Sequence, residues 1–376
     1  MKVARPAAGP ARPRDRWAGT LALLLAAATL AVPLLGLGLL PGAGLSTYAV
    51  NLVGQVMCFA VLAMSVDLMW GGAGVLSLGH GLFFALGGYL CAMHLLRTAW
   101  RATGTLPDFL LFMGHGAFPA WWGFADSAIL TLAAIVAVPA AVAFCFGYVS
   151  FRSRVNGVYF SIITQALTYT AMLLMFRNDT GFGGNNGLTG FHAVAGLAAG
   201  GREAAILLAT LSCAAALATL LGGRAMLATR FGRLLAAIRD DESRLRFLGY
   251  QTLWLKLVAW CLSASLGGVA GALYVPQVGI VNPALLDPSL SLEVAVWVAV
   301  GGRGGLCGAL AGAILVNLLR LWLSAAAPAL LPFVLGLLVL GVVLALPNGL
   351  LDLRDRSRGW LLDLGRAPGL LRRAGR

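Results

Sequence analysis

The sequence contains few charged side chains for its length. They make up 11% of its 376 residues, whereas a soluble globular chain carries about 25%. Hydrophobic residues make up 60% of the chain. This composition excludes an ordinary soluble domain and predicts a protein that crosses a membrane several times.

The groups that common catalytic sites require are also missing. The only lysines are Lys2 and Lys256, and neither lies in the glycine-rich pattern of a nucleotide-binding P-loop. The zinc-protease pattern H-E-x-x-H and the serine-hydrolase pattern G-x-S-x-G do not occur. Six cysteines stand singly in apolar segments, which indicates neither disulfides nor a zinc site. We therefore expect no enzyme activity, metal or cofactor in this chain.

Ten apolar segments predict membrane spans, since a helix needs about 20 apolar residues to cross. They cover residues 17–40, 46–66, 80–97, 127–150, 157–176, 203–222, 254–275, 290–301, 305–325 and 329–346. The eighth is short for a span. The sequence thus predicts an all-α polytopic fold of about ten helices, with its transmembrane domain at residues 17–346.

Basic residues fall on one side of these spans. The net charge of +13 could indicate nucleic acid, but its distribution gives another explanation. If the N-terminus is cytoplasmic, only Arg97, Arg101, Arg177 and Arg202 lie outside, which matches the positive-inside rule. We therefore predict that both ends of the chain, residues 1–16 and 347–376, are basic cytoplasmic segments.

The first apolar segment has two interpretations. A basic stretch followed by an apolar run is also the pattern of a cleaved signal peptide. The run from Trp17 to Leu40 is 24 residues long, however, which exceeds the usual apolar core of a signal peptide. We favour a retained signal anchor.

The longest charged stretch, residues 223–253, predicts a loop helix between two spans. Apolar residues at helical spacing form a stripe of Leu234, Ile238, Leu245 and Leu248. Acid-before-base pairs at i,i+4 are Asp240 with Arg244 and Glu242 with Arg246, and Gly249 is a helix stop. The pattern is typical either of a solvated helix or of a surface that docks a soluble partner.

Glycines interrupt the apolar pattern after the second span, between Gly71 and Gly88. Each costs a helix about 1 kcal/mol relative to alanine, so we expect a broken helix or close helix packing. Polar groups accompany this region at Asp67, Ser77 and His80.

Ionisable groups at membrane depth are expensive and usually have a partner or line a cavity. Asp67 is expected either to hold backbone amides at a helix break or to serve in a proton relay, and we favour the first. His80 is expected to be a hydrogen-bonded interior histidine. Glu293 is a second carboxylate inside a span, and it is either structural or pore-facing.

Two glycine strings share one pattern. Residues 71–76 and 301–306 both have the form G-G-x-G-x-L. The match is short, and it hints at an internal repeat.

A loop rich in glycine and asparagine, residues 176–191, is predicted to lie outside; we call it the asparagine loop. Its residues form turns that point backbone groups and side-chain amides toward a ligand. Two interpretations remain open: a compact turn-rich connection, or a site for a small polar solute. The candidate groups are Arg177, Asn178, Asn185 and Asn186.

These residues resemble a known family. From about Ala49 to Leu353 the chain is similar to membrane permease subunits of the branched-chain amino-acid (hydrophobic amino-acid uptake) class of ABC importers. The blocks that carry the resemblance are residues 71–89, 156–161, 177–191, 231–249 and 293–312, followed by 346–350. Blocks 176–187 and 297–304 resemble the urea-transporter branch of this class. Gly72 departs from the pattern, since an aromatic residue is expected there.

The resemblance implies an assembly. A second permease subunit, two ATPase subunits and a periplasmic binding protein would work with this chain, in a bacterial inner membrane, to import urea. The segment from Arg233 to Gly249 would be the coupling helix that docks into the ATPase. Its implied contact residues are Arg233, Ile238, Arg239, Asp240, Asp241, Glu242 and Gly249.

The resemblance leaves alternatives open. A branched-chain amino-acid permease of the same family would carry a larger, charged solute. An ion-coupled secondary transporter or channel would work without an ATPase and would use Asp67 or Glu293 as its ion site. A non-transporting scaffold is disfavoured, because it gives no reason for glycine-broken spans beside buried carboxylates.

Overall fold

The computed structural model describes residues 16–36, 46–112, 117–155, 157–345 and 349. Twelve α-helices form nearly all of this part. They are α1 Arg16–Gly36, α2 Thr47–Ala73, α3 His80–Thr103, α4 Asp108–Phe112, α5 Ala128–Arg152, α6 Val158–Phe176, α7 Arg202–Ala228, α8 Arg230–Phe247, α9 Thr252–Val278, α10 Pro288–Gly301, α11 Leu306–Ala326 and α12 Leu331–Ala345. The predicted all-α polytopic fold is confirmed.

Seven of the described helices are long and apolar enough to cross a membrane: α2, α3, α5, α6, α7, α9 and α11. Shorter apolar segments lie at Gly19–Leu35, Pro288–Gly301 and Pro328–Leu338. All ten predicted spans thus coincide with helices, but the count of ten crossings stays a prediction. Apart from Arg16 and Gly349, the two predicted basic ends lie outside the described residues.

The helix ends follow local sequence signals. The Ser46 side chain accepts a hydrogen bond from the Ala49 amide at the start of α2, and Asp287 caps α10 through the Ser289 amide. Gly74 ends α2 in the left-handed conformation, with φ 76°, which only glycine adopts without strain.

Helices α2 and α9 form the centre of the bundle. Helix α9 packs against α2, α3 and α5, and α2 also packs against α7 and α11. Close approach depends on glycine, because a Cβ at Gly271 would collide with the Phe84 carbonyl of α3. Helices α5 and α6 are different, since most of their apolar side chains remain exposed.

Two pairs of very short strands complete the described structure. Strand β1 (Leu188–Thr189) pairs antiparallel with β4 (Ile280–Val281), and β2 (Ala193–Val194) pairs with β3 (Leu197–Ala198). The first pair ties the segment before α7 to the segment after α9. One end of the bundle therefore carries these strands, and the other carries α8, because α7 and α9 run between the two.

Candidate functional site: two glycine breaks beside a charged helix

The first candidate region is a break between α2 and α3. Residues Gly74–Gly79 are not helical, and we call them the first glycine break. A second glycine break, Gly302–Gly305, separates α10 from α11. Gly74 and Gly304 occupy equivalent positions in the shared G-G-x-G-x-L string and have φ of 76° and 78°. The broken helix predicted from the glycines is confirmed.

The second glycine break contacts α2 through Asp67. This side chain is 2% exposed, and its Oδ1 accepts a hydrogen bond from the Gly304 amide at 2.8 Å. Gly304 lies just before α11, whose positive helix end favours a nearby carboxylate. A Cβ at Gly71 would collide with Asp67 Oδ1 and lie 2.5 Å from the Gly304 nitrogen. Asp67 thus holds a backbone amide at a helix break, as its favoured interpretation expected.

Ser77 and His80 are structural groups in the same region. The Ser77 hydroxyl accepts from the Gly79 amide at 3.1 Å, inside the first glycine break. Ser263 Oγ donates to the Ser65 carbonyl at 2.5 Å and lies 2.7 Å from His80 Nε2. Because the Ser263 proton is used on Ser65, His80 donates from Nε2 to the Ser263 hydroxyl. It is a hydrogen-bonded interior histidine, as predicted.

Glu293 forms an ion pair between neighbouring helices. Its Oε2 lies 2.6 Å from Arg320 Nη1, which joins α10 to α11. Both side chains keep partial exposure. Of the two interpretations of Glu293, the structural one has a geometric basis in this pair.

Helix α8 lies beside the first glycine break. Arg239 Nη1 donates to the Gly71 carbonyl at 2.8 Å, and a Cβ at Gly74 would lie 2.8 Å from Arg239 Cγ. Arg239 thus places a positive charge at the last turn of α2, where the helix end is negative. This residue contacts the spans, and only part of its side chain is exposed.

The backbone of α8 is interrupted at Asp241, whose φ and ψ of −160° and 99° are not helical. The Asp241 side chain accepts from the amides of Ser243 and Arg244 and so starts a second short helical piece. The predicted pair of Asp240 with Arg244 is therefore wrong: Asp240 lies 3.5 Å from Arg239, and Arg244 lies 3.8 Å from Asp241.

The predicted apolar stripe is wrong at one of its four positions. Ile238 and Leu245 are buried, and Leu234 is partly buried against the core beside the buried Leu235. Leu248 is 69% exposed. Gly249 does end the helix, with φ 86°.

A buried charge cluster fixes the second piece of α8. Glu242 Oε1 lies 2.6 Å from Arg246, 3.0 Å from Lys256 and 2.8 Å from the Thr252 hydroxyl. Lys256 is 1% exposed and also lies over the ring of Phe151. Burial acts to raise the pKa of Glu242, but the hydrogen bond and charge of Lys256 outweigh it, so that pKa is lowered. The predicted Glu242–Arg246 pair is confirmed.

The residues that α8 presents to solvent differ from the predicted set. Arg233, Asp240, Asp241 and Gly249 are exposed, whereas Ile238 is buried and Glu242 is half-buried. Phe247 is 93% exposed beside Leu248. Two large apolar side chains thus stand at the tip of a charged helix, an arrangement typical of a contact surface.

The asparagine loop follows the C-terminal end of α6. Phe182 packs on the rings of Tyr89 and Trp121, and β1 holds the end of the loop against β4. Asn178, Asn185 and Asn186 are exposed. The loop is thus a compact connection whose asparagine side chains are accessible.

The predicted pathway residues other than Glu293, which is paired with Arg320, fall into two groups. Asp67, Ser77 and His80 lie by the first glycine break, which contacts the start of α6. The asparagines follow the end of α6, and its 19 residues span about 28 Å. The structure therefore does not bring all of the predicted residues into one site.

Most of the chain matches a known protein family. Residues 48–346 match the family described as branched-chain amino acid transport system / permease component. The chain belongs to this permease family. It is also 25% identical, over 294 residues, to the high-affinity branched-chain amino acid transport system permease protein LivM of Salmonella typhimurium. The alignment covers 72% of this permease and 63% of the Salmonella protein.

The Escherichia coli protein of the same name is 25% identical over 293 residues, with 72% and 62% of the two chains covered. This permease thus spans somewhat less than two thirds of the length of both relatives. None of the solved structures matches it.

Three features of the permease were not predicted from its sequence. They are the Lys256–Glu242 pair, the Arg239–Gly71 contact and the exposed Phe247–Leu248 tip. A partner for Lys256 could have been predicted, because it is the only lysine within the apolar part of the chain and buried lysines need partners. The Arg239–Gly71 contact joins residues that are 168 positions apart, and the exposed tip lies beyond the backbone interruption at Asp241; the sequence pattern indicated neither.

Proposed function

We propose that this chain is a pathway-forming permease subunit of an ATP-driven importer for a small neutral solute, with urea as its substrate. It works with a second permease, two ATPase subunits and a periplasmic binding protein. It lies in a bacterial inner membrane, with both termini and α8 on the cytoplasmic side. ATP hydrolysis takes place on the partner subunits.

The arrangement of charge inside the spans carries the choice of solute. The two carboxylates there are occupied, Asp67 by the Gly304 amide and Glu293 by Arg320. A zwitterionic amino acid needs partners for both an ammonium and a carboxylate group, whereas urea needs only hydrogen-bonding groups. In the asparagine loop, Asn178, Asn185 and Asn186 offer accessible neutral amides beside the exposed Arg177. They suit urea as donors and acceptors.

Helix α8 supports the coupling to an ATPase. It stands between two long spans, exposes alternating charges and two apolar side chains at its tip, and contacts the end of α2 through Arg239. A partner that moves α8 thereby moves a span. Because the exposed bases here are arginines, carboxylates on the ATPase are the expected partners.

Branched-chain amino-acid import is the second candidate function. The names of both relatives, branched-chain amino acid transport system permease proteins, favour it. An ion-coupled transporter is the candidate from a different class, and it would use Asp67 or Glu293 as its proton site.

Uptake by reconstituted vesicles separates these candidates. The vesicles hold this chain with its neighbouring permease, ATPases and binding protein, and labelled urea and leucine are supplied with and without internal ATP. We expect ATP-dependent uptake of urea alone. ATP-dependent leucine uptake would replace urea with an amino-acid substrate. Uptake that ignores ATP and collapses with a protonophore would overturn the importer.

A variant tests the asparagine loop in the same vesicles. We expect the double variant Asn185→Ala, Asn186→Ala to reduce urea uptake, since two solute-accessible amides are lost. Thr189→Ala, at an exposed position just after these residues, is the matched control. Equal uptake by the control and the double variant would remove the loop from the solute path.

A further inference from the structure

The first glycine break is held from two sides by different helices. On one side is α8, whose Arg239 donates to the Gly71 carbonyl and packs against Gly74. This contact lies at the start of the break. A shift of α8 therefore acts directly on the backbone where α2 ends.

On the other side is α6. Ser161 Oγ donates to the Leu76 carbonyl at 2.8 Å, and Thr164 Oγ1 accepts from the Leu78 amide at 3.1 Å. Both hydroxyl-bearing residues are buried. A Cβ at Gly79 would lie 3.1 Å from Thr164 Cβ, so the two backbones approach closely. Two backbone groups of the break, which a continuous helix would satisfy internally, are bonded to α6 instead.

Helix α6 also has apolar contacts. It packs against the turn Pro283–Leu286, α3, α10 and the asparagine loop, and its buried Phe160 packs on Phe151 of α5 and Trp260 of α9. Its outward side is apolar and exposed; the large side chains there are Tyr159, Ile162, Tyr169, Leu173 and Leu174. The bonds from Ser161 and Thr164 thus tie the first half of α6 to the first glycine break, beside the apolar contacts of Phe160.

Asp67 supplies a fixed point about two turns before the break. Its bond to the Gly304 amide ties α2 to the start of α11. When Arg239 is displaced, the backbone after Gly71 moves, because the part of α2 before Gly71 is held by the Asp67–Gly304 bond. The glycines at 71, 72 and 74 suit this role, since backbone rotation there meets no Cβ.

We infer that the first glycine break transmits the position of α8 to α6, with Arg239, Ser161 and Thr164 as positioning residues. This link rests on the proposed function, because it takes α8 to be the helix that the ATPase moves. The proposed function does not specify how movement of α8 reaches other helices. In this inference the position of α6 changes with the nucleotide state of the ATPase, because the first glycine break is hydrogen-bonded to α6.

The test measures solute imported per ATP hydrolysed in reconstituted vesicles of the full complex. Thr164→Val removes the acceptor of the Leu78 amide, and Thr164→Ser keeps it. Thr170→Val is the matched control, because the Thr170 hydroxyl bonds only within α6, to the Ala166 carbonyl. Arg239→Gln weakens the other side of the break. Arg230→Gln is its control, because Arg230 bonds to Tyr250 at the surface.

We expect Thr164→Val and Arg239→Gln each to lower the import-to-hydrolysis ratio by about three- to tenfold, as expected for one lost hydrogen bond. ATP hydrolysis and copurification of the ATPase should be retained. The double variant should fall little below the lower single variant, because both act on one route. Thr164→Ser, Thr170→Val and Arg230→Gln should match the wild type.

Three outcomes overturn the link. The ratio of Thr164→Val could equal that of Thr170→Val, Thr164→Ser could fail to restore it, or the two losses could multiply in the double variant. If Thr164→Val does not accumulate in membranes, the import-to-hydrolysis ratio of Arg239→Gln, a substitution outside the spans, tests the link instead. Wild-type uptake that ignores ATP would overturn the proposed function itself, which is a separate result.

Discussion

Removing the Glu242 carboxylate should destabilise the protein more than its place on a loop helix suggests. Glu242 lies 3.0 Å from Lys256, which is 1% exposed. At that separation and an effective dielectric constant near 20, the attraction is about 5 kcal/mol before desolvation is subtracted. Breaking a buried pair from one side costs about 3–5 kcal/mol. Glu242 keeps 18% exposure, so we expect about 2–3 kcal/mol for Glu242→Ala.

A double-mutant cycle gives this prediction its control. Lys256→Met leaves Glu242 with Arg246 and Thr252, so its expected cost is about 1 kcal/mol. The double variant should be more stable than the sum of the single losses implies, by at least about 1 kcal/mol. Asp240→Ala, which removes an exposed carboxylate, should change stability by less than about 0.5 kcal/mol.

The assay is unfolding of the purified protein in mixed micelles by added SDS, followed by tryptophan fluorescence. Strict additivity of the two substitutions would refute the coupling. So would a loss in Glu242→Ala no larger than in Asp240→Ala.

The same measurement and a binding assay check three further predictions. Gly71→Ala should cost about 1–3 kcal/mol, because its Cβ would overlap the backbone of the second glycine break; Gly72→Ala, with nothing nearer than 3.8 Å, is the control and should lose little. Phe247→Ala should leave stability within about 0.5 kcal/mol but weaken copurification of the ATPase, and unchanged copurification would remove the tip from the interface. The pKa of Glu242 is lowered in the folded protein. The stability that this carboxylate contributes is therefore complete above its ordinary pKa near 4.5 and is lost as the pH falls below that value. The variant Glu242→Gln should lose less stability on acidification, and an equally steep loss of stability in the variant would contradict the prediction.

The features of the fold that could be predicted are those that depend on composition and on local helix signals. Apolar segments located the helices, glycines located the first break, and Gly249 located the end of α8, because each acts within a few residues of itself. The ends of α2 and α7 were placed several residues too early; in α2 the polar Asp67 near the predicted end is satisfied by the Gly304 amide, so the helix continues past it.

The candidate site was harder to predict, because its contacts join distant parts of the chain. Asp67 reaches an amide 237 residues away, and Arg239 reaches a carbonyl 168 residues away. Periodicity could show that Asp67 needs a partner but not which amide would be that partner. The stripe on α8 failed only at Leu248, which lies just beyond the last helical residue and is exposed.

The Asp67–Gly304 bond also bears on how the protein is made. Helix α2 is synthesised and enters the membrane well before Gly304 has been translated, because 237 residues separate the two. The packing of the early helices at this end is therefore completed only when α10 and α11 arrive. A substitution at the second glycine break should accordingly appear, during biogenesis, as faulty assembly and premature degradation of the N-terminal half.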